Sequence, residues 1–429
     1  MRILDLEQAK ASVLRRARGA AEASPEMRRR ERTVERILAQ VRSEGDAALF
    51  RLEKKLDRAE LSALEVGREE IESAYLQTDK SVTSALKLAA QRVEDFHKAT
   101  LEALTPTVDV GQVGLLVRAL DIVGLYVPGG TASYPSTVLM SAIPARVAGV
   151  REIIVATPPR SDGSVAPATL VAAGLAGVSR IFKLGGAQAI VALAYGTATV
   201  PRVDKICGPG NVFVQMAKRM VYGEVDIDGI YGPTETVIIA DSTASPALCA
   251  ADLLAQAEHD PMASAILLTT SRKLAGEVDR QVDKQLAGLD RAETVRKSLD
   301  GQGAIVLCRT LEAALEAANE YAPEHLCLMV KDARSHLSQV RNAGGIFLGE
   351  SSAEALGDYV AGPSHIMPTG GTARFGSPLG VGHFLKTTSV FDLSPRSTPP
   401  LARAASILAR AEGLTAHARA AEMRLKVTP

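Results

Sequence analysis

Gln256 and His259 stand at i and i+3 in the segment QAEHDP, at the end of an Ala/Leu-rich stretch that Pro261 stops. On a helix that spacing puts both side chains on one face, where an amide and an imidazole can converge on a cation. A histidine at a helix end is also a common C-terminal cap, so the pair alone does not establish a metal site. Three further groupings mix histidine with acid. Glu324-His325 sets an acid beside a base just ahead of the apolar run Leu326 to Val330, Asp358 and His365 flank the segment DYVAGPSH, and Glu412 and His417 flank Gly413. Imidazole titrates near neutral pH and a carboxylate can activate water, so an adjacent Glu and His suit two different proton transfers. His97, His336 and His383 have no such grouping and read as surface or packing residues. Cys207, Cys249, Cys308 and Cys327 lie in apolar segments without a C-x-x-C pair. That argues against a disulfide framework or a thiolate zinc site and leaves N and O donors for any metal.

Three glycine-rich turns follow candidate strands: YVPGG (126–130), KLGGAQ (183–188) and CGPGN (207–211). The latter two lead straight into helical patterns, which would aim backbone N–H groups and a helix dipole at a phosphate. The usual dinucleotide fingerprint is absent, because Phe213 stands where G-x-G-x-x-G needs its third glycine, and there is no G-x-x-x-x-G-K-[ST] loop. A nucleotide site here is therefore an atypical one. The segment Pro368 to Gly380 is too glycine-rich for a helix or a strand core and reads as an ordered loop over a site.

The elements that must position these residues fall into two textures. From about Leu6 to Leu104 the pattern is charged and helical, as in Val34, Ile37, Leu38 and Val41. After Val108, β-branched runs ending in Gly or Pro alternate with Ala-rich helical stretches, which predicts an α/β protein with mostly parallel sheets. The runs form two clusters, from Ile122 to Ile206 and from Val237 to Leu348. The economical layout inserts one α/β domain in another: 1–24 as a helical extension, 25–126 with 236–380 as the first domain, 127–235 as the second, and 381–429 as a C-terminal extension. In this layout the early helices cover the strands after residue 236. SPRSTPP reads as an extended linker, and the helical piece after it is too small for its own core, so it should dock on the main body or a partner subunit.

At 429 residues and 46% hydrophobic content the chain can bury real cores, and no apolar run is long enough to span a bilayer. Lys plus Arg and Asp plus Glu are both 49, so there is no basic excess to suggest nucleic acid, and a small metabolite is the favoured partner. The N-terminal segment mixes acidic and basic residues without an apolar signal core, which points to the cytoplasm.

Five blocks taken together are recognisable: YVPGGTASYPSTVLMSAIPARVAGV; GGAQAIVALAYGT with VDKICGPGN; IYGPTETVIIAD with LLAQAEHDP; EYAPEHL; and GDYVAGPSHIMPTGGTARF followed by AEGLTAHARAAEMR. In this order over nearly the whole chain they resemble the histidinol dehydrogenase family. The resemblance implies two Rossmann-like domains and a zinc- and NAD-dependent enzyme that oxidises L-histidinol to L-histidine through the aldehyde, the last step of histidine biosynthesis. It implies zinc on Gln256, His259, Asp358 and His417, His325 as general base and Glu324 as the group that activates water. Those metal donors and His325 would also contact substrate, joined by His365, Glu412 and Thr234, while Tyr126, Gln188 and Asn211 would contact NAD. It further implies a homodimer in which Glu412 and His417 complete the other subunit's site. Thr234 and Ser364 depart from the Ser and Asn frequent in the family, and GVGHF (380–384) from a more acidic stretch. The superfamily also looks to include dehydrogenases of other small alcohols, such as sulfopropanediol, with the same metal and Glu-His chemistry.

Overall fold

The structure is a computed structural model that describes residues 1–15, 24–104, 112–129 and 133–426. Two compact units emerge, one of Met1–Leu101 with Leu120–Phe384, the other of Glu102–Ala119 with Leu385–Pro429. Among the described residues the strands are, in chain order, β1 Ile3–Asp5, β2 Val113–Ala119, β3 Ile122–Tyr126, β4 Glu152–Thr157, β5 Arg180–Lys183, β6 Lys205–Cys207, β7 Asp226–Ile227, β8 Glu235–Ala240, β9 Ser264–Thr269, β10 Ala304–Leu307, β11 His325–Met329, β12 Gly345–Leu348 and β13 Leu385–Phe391.

The larger unit holds two parallel sheets, ordered β5-β4-β3-β6-β7 and β1-β10-β9-β8-β11-β12. Leaving β1 aside, both follow one pattern: the first strand of the set is central, the second and third lie to one side, the fourth and fifth to the other. That is the doubly wound arrangement, and it gives the α/β, Rossmann-like architecture expected from the sequence. In β8 and β11 alternate residues feed opposite cores. Ile238, Ala240, Cys327 and Met329 pack toward the helices Pro246–Ala257, Arg272–Leu286 and Ala292–Gln302, whereas Val237, Ile239, Leu326 and Leu328 pack toward Leu311–Tyr321. Burial on both faces is why these strands read as continuous apolar runs.

Three features differ from the sequence expectations. The early helices Pro25–Glu44 and Asp46–Leu56 cover the five-stranded sheet, with Val34, Ile37, Val41, Leu49 and Leu52 in one core with Ile190, Leu193 and Val214. Amphipathic spacing shows that a helix has an apolar face and not which sheet it meets. Residues at the start of the chain form a strand as well as the helix Leu6–Ala11, and β1 pairs in parallel with β10, Ile3 opposite Ile305. Three residues are too few to show a strand period. β3, assigned by sequence to the outer domain, pairs instead with β4 and β6.

In the smaller unit β2 and β13 form an antiparallel ribbon, from Leu385 opposite Ala119 to Phe391 opposite Val113. The helices Thr398–Ala411 and Thr415–Arg424 pack as a pair, joined by a 2.6 Å hydrogen bond from the Ser406 hydroxyl to Glu422. The expected extended SPRSTPP segment instead ends inside a helix: Pro399 and Pro400 occupy its first turn, where no amide donor is needed.

Candidate active site

Glu324 and His325 lie where β11 begins, beside the start of β8, with His325 in register with Thr236. Both are buried. Glu324 Oε2 accepts hydrogen bonds from the Thr234 hydroxyl at 2.5 Å and the Glu235 amide at 3.0 Å. His325 places Nδ1 3.3 Å from the Glu235 carbonyl and Nε2 3.3 Å from Asp358 Oδ1, while Glu324 Oε2 is 3.7 Å from Nδ1. Burial pushes the Glu324 carboxyl up to about 7. Burial works against a charged His325, but Glu324 first, then Asp358 and Glu354, outweigh it and hold the imidazole up to about 10. The acid is thus raised to the neutral range, and the imidazole beside it above that range.

The helix Pro246–Ala257 returns from the far end of β8 and brings Gln256 to the same end of the sheet. Gln256 Nε2 donates to the Thr234 hydroxyl, so a relay runs from Gln256 through Thr234 to Glu324. Two residues past that helix stands His259, an exposed residue whose ring desolvation lowers its pKa against the pull of Asp358 and Glu258. Asp358, on the helix Glu354–Tyr359, is held below the usual carboxylate range; burial opposes this, and the charge and hydrogen bond of His325 overcome it. Among the described residues no three His, Cys, Asp or Glu side chains group as a metal site. His259 and Asp358 supply two such donors here, and the Gln256 amide is a third of another type. The set of imidazole, carboxylate and amide oxygen fits a divalent ion without thiolate.

His365 is fixed through both ring nitrogens, Nδ1 2.8 Å from the Asp358 carbonyl and Nε2 3.0 Å from the Thr137 hydroxyl. The loop expected to lie over a site is tied to it: Gly370 N donates to Glu235 at 3.1 Å and the Thr369 hydroxyl accepts from Gly232 at 2.6 Å. Glu412 and His417 are exposed residues of the smaller unit, at the end of one of its helices and in the first turn of the next.

Sequence reasoning missed Glu354 and Thr137. Glu354 is buried and takes the hydroxyl of Thr236 and, at 3.0 Å, the thiol of Cys327. Its spacing of one helical turn before Asp358 was a usable signal, but SSAEALGDY looks like a solvated helix.

Tyr126, Gln188 and Asn211 sit at the carboxyl ends of the five-stranded sheet, the opposite kind of strand end from Glu324 and His325. The Tyr126 hydroxyl accepts from Gly186 N at 3.0 Å, and Gln188 is fully buried. Asn211 is exposed and caps the helix Val212–Val221 through Phe213 N and Val214 N, at 3.0 and 3.2 Å. A Cβ on Gly208, at φ 120°, would meet the Tyr126 carbonyl oxygen at 2.1 Å, so only glycine lets β6 and β3 part this closely. Lys218 holds the same turn from below, donating to the Gly208 carbonyl at 3.0 Å and paired with buried Asp228. Gly130 lies outside the described residues.

A doubly wound sheet whose turns after β3 and β6 flank its topological switch point, together with a buried acid–imidazole pair, fits an α/β oxidoreductase of the dinucleotide-using class. The model for histidinol dehydrogenase matches residues 21–425. Histidinol dehydrogenases of Dehalococcoides mccartyi and Deinococcus radiodurans are 49% and 52% identical, each over 92% of this chain and 91% of the relative. The crystal structure of histidinol dehydrogenase from Elizabethkingia anophelis superposes with a TM-score of 0.92 at 34% identity, covering 99% of this chain and 98% of that one. The chain belongs to the histidinol dehydrogenase family. Its activity is accordingly the NAD-dependent oxidation of histidinol to histidine in histidine biosynthesis.

Proposed function

We propose that the chain works as a zinc-dependent cytoplasmic homodimer, with the metal held by Gln256, His259 and Asp358 of one subunit and by the partner subunit's His417. The observation that carries this reading is the continuous polar path Gln256–Thr234–Glu324–His325–Asp358, which links two metal donors through the acid and the base. The five-stranded sheet is then the cofactor half, with Tyr126, Gln188 and Asn211 around NAD, and the six-stranded sheet the catalytic half. The smaller unit leaves Phe391, Ile407, Leu408 and Met423 exposed, apolar area of the kind a subunit interface covers.

When bound, NAD supplies the hydride acceptor and zinc a Lewis-acidic anchor for the substrate. The side chains do the proton work. Each oxidation releases one hydride and one proton, and His325 takes the proton first from the alcohol and then from the hydrated aldehyde. A cation held by Asp358 would remove one of the carboxylate contributions that raise His325, after that of Glu324, and so move the imidazole toward its basic form. Glu324, neutralised only near pH 7 and anchored by Thr234, takes a proton from the water that adds to the aldehyde. Thr234, His365 and the partner subunit's Glu412 orient the substrate.

The test is NADH formed per L-histidinol, before and after chelation, with metal content measured alongside. Two NADH per substrate, lost with the metal and restored by zinc, are expected. A stripped protein that keeps its full rate would overturn the zinc assignment.

A further inference from the structure

In doubly wound dinucleotide folds an acid at the end of the second strand accepts the hydroxyls of the adenosine ribose, and an arginine there admits a 2′-phosphate instead. The second strand of the five-stranded set is β4, and it ends in Thr157-Pro158-Pro159, with no acid. The helix Asp46–Leu56 supplies one from elsewhere in the chain. It packs on this sheet through Leu49 and Leu52 and carries Glu53, with Asp57 as its C-terminal cap, to the turn after β5.

Glu53 Oε1 accepts from Gly185 N at 3.1 Å and from Gln188 Nε2 at 2.9 Å, and Asp57 Oδ2 accepts from Gln188 Nε2 at 3.4 Å. A Cβ on Gly185 would lie 2.9 Å from Asp57 Oδ2 and 3.1 Å from Pro158, and one on Gly129 would lie 3.2 Å from the same proline. The half-buried Asp57 carboxylate thus stands among the turns that follow β3, β4 and β5. Glu53 and Gln188 are both fully buried, and Glu53 Oε2 and Gln188 Oε1 have no partner among the described residues. The Gln188 oxygen points at the Gly186 turn, 2.9 Å from where a Cβ would be. Burial raises the carboxyls of both Glu53 and Asp57, and the neighbouring Asp57 charge adds to the rise at Glu53. Glu53, the more deeply buried of the two, is pushed up to about 9.

This corrects one expectation from the sequence. The KLGGAQ turn does not offer its donors to a phosphate: Gly185 N and Gly186 N are engaged by Glu53 and Tyr126, and two carboxyl groups stand beside them. A hydroxyl donor suits this place and a phosphate does not.

We propose that Asp57, seated by Glu53, accepts the vicinal hydroxyls of the adenosine ribose of NAD and turns away dinucleotides that carry a 2′-phosphate. The inference rests on the reading that Tyr126, Gln188 and Asn211 line the cofactor site. Asp57 is the specificity residue and Glu53 a positioning residue. Arg160, the nearest cation after β4, lies on an exposed turn closed by its own amide donating to the Ser164 carbonyl at 2.8 Å.

Calorimetric titration of the intact protein with NAD, NADP and ADP-ribose tests this without turnover. Asp57→Ala should weaken NAD and ADP-ribose about tenfold or more while leaving NADP unchanged or tighter, collapsing the preference for NAD. Glu53→Gln should keep that preference and Glu53→Ala lower it. Equal weakening of NAD and NADP by Asp57→Ala, or a preference that follows Arg160→Ala and not Asp57→Ala, would overturn the proposal. Asn211→Ala separates the underlying reading: NAD affinity untouched by Asn211→Ala would sink the cofactor site itself, whereas weakened binding with an unchanged preference in Asp57→Ala would sink only the role of Asp57.

Discussion

The Nε2 of His365 lies 3.0 Å from the hydroxyl of Thr137, the third residue of the helix Pro135–Ala148 that follows β3. Since Nδ1 faces the Asp358 carbonyl, the proton sits on Nδ1 and Nε2 accepts from Thr137. A residue of the helix after β3 thereby orients a histidine beside Asp358. Thr137→Val removes one neutral hydrogen bond of about 1 kcal/mol, which corresponds to about fivefold. The expected result is a KM for histidinol raised by about that factor with kcat changed less, read from steady-state kinetics at saturating NAD. A fall in kcat at constant KM would show that the contact does not orient substrate.

In the proposed mechanism Glu324 and His325 divide the proton transfers between them. Glu324→Gln keeps the hydrogen bond from the Thr234 hydroxyl but cannot take a proton from water. Oxidation of added histidinaldehyde should drop by about two orders of magnitude or more, the usual worth of a general base, while the first NADH forms at a nearly normal rate. Rapid-quench separation of the two NADH phases makes the comparison; equal slowing of both would contradict the division.

The proposed trans placement of His417 has a sharper consequence. His325→Ala and His417→Ala proteins should each be nearly inactive, and a mixture allowed to exchange subunits should recover roughly a quarter of wild-type activity, since half the dimers are then hybrids with one intact site. Native mass spectrometry verifies the exchange. Verified hybrids without activity would place His417 in its own subunit's site.

His97 is buried, and neither ring nitrogen has a partner among the described residues. Burial lowers its pKa to about 4. The folded protein therefore refuses a proton that the unfolded chain accepts below about 6.5, so this contribution to stability is whole above pH 6.5 and is lost as the pH falls toward 4. The loss is on the order of 3 kcal/mol. His97→Leu should flatten the dependence of Tm on pH across that window. An unchanged slope would assign the acid sensitivity to other groups.

What could be read before folding was whatever is local along the chain. Glu324 and His325 are neighbours in sequence, and Gln256 and His259 share a helix face, so their grouping showed directly. Gly413 between two helical patterns showed too, and it separates the helices at φ 76°. The partners that give these groups their properties come from far away: Thr137 meets His365 across 228 residues, and Glu53 meets Gln188 across 135. No periodicity encodes such meetings. The ribbon of β2 and β13 was hidden for the same reason, because either strand alone is an exposed, weakly patterned segment.

The pairing of β1 with β10 gives this chain an order of assembly during synthesis. Ile3 emerges from the ribosome about 300 residues before Ile305, its neighbour in the sheet. At ordinary elongation rates that is a wait of roughly 15 to 60 s. The five-stranded sheet is complete once Ile227 has appeared, and the helices that cover it were made earlier still. The five-stranded half can thus close on itself while β1 waits unpaired, and the six-stranded sheet gains this edge strand only once β10 has been made.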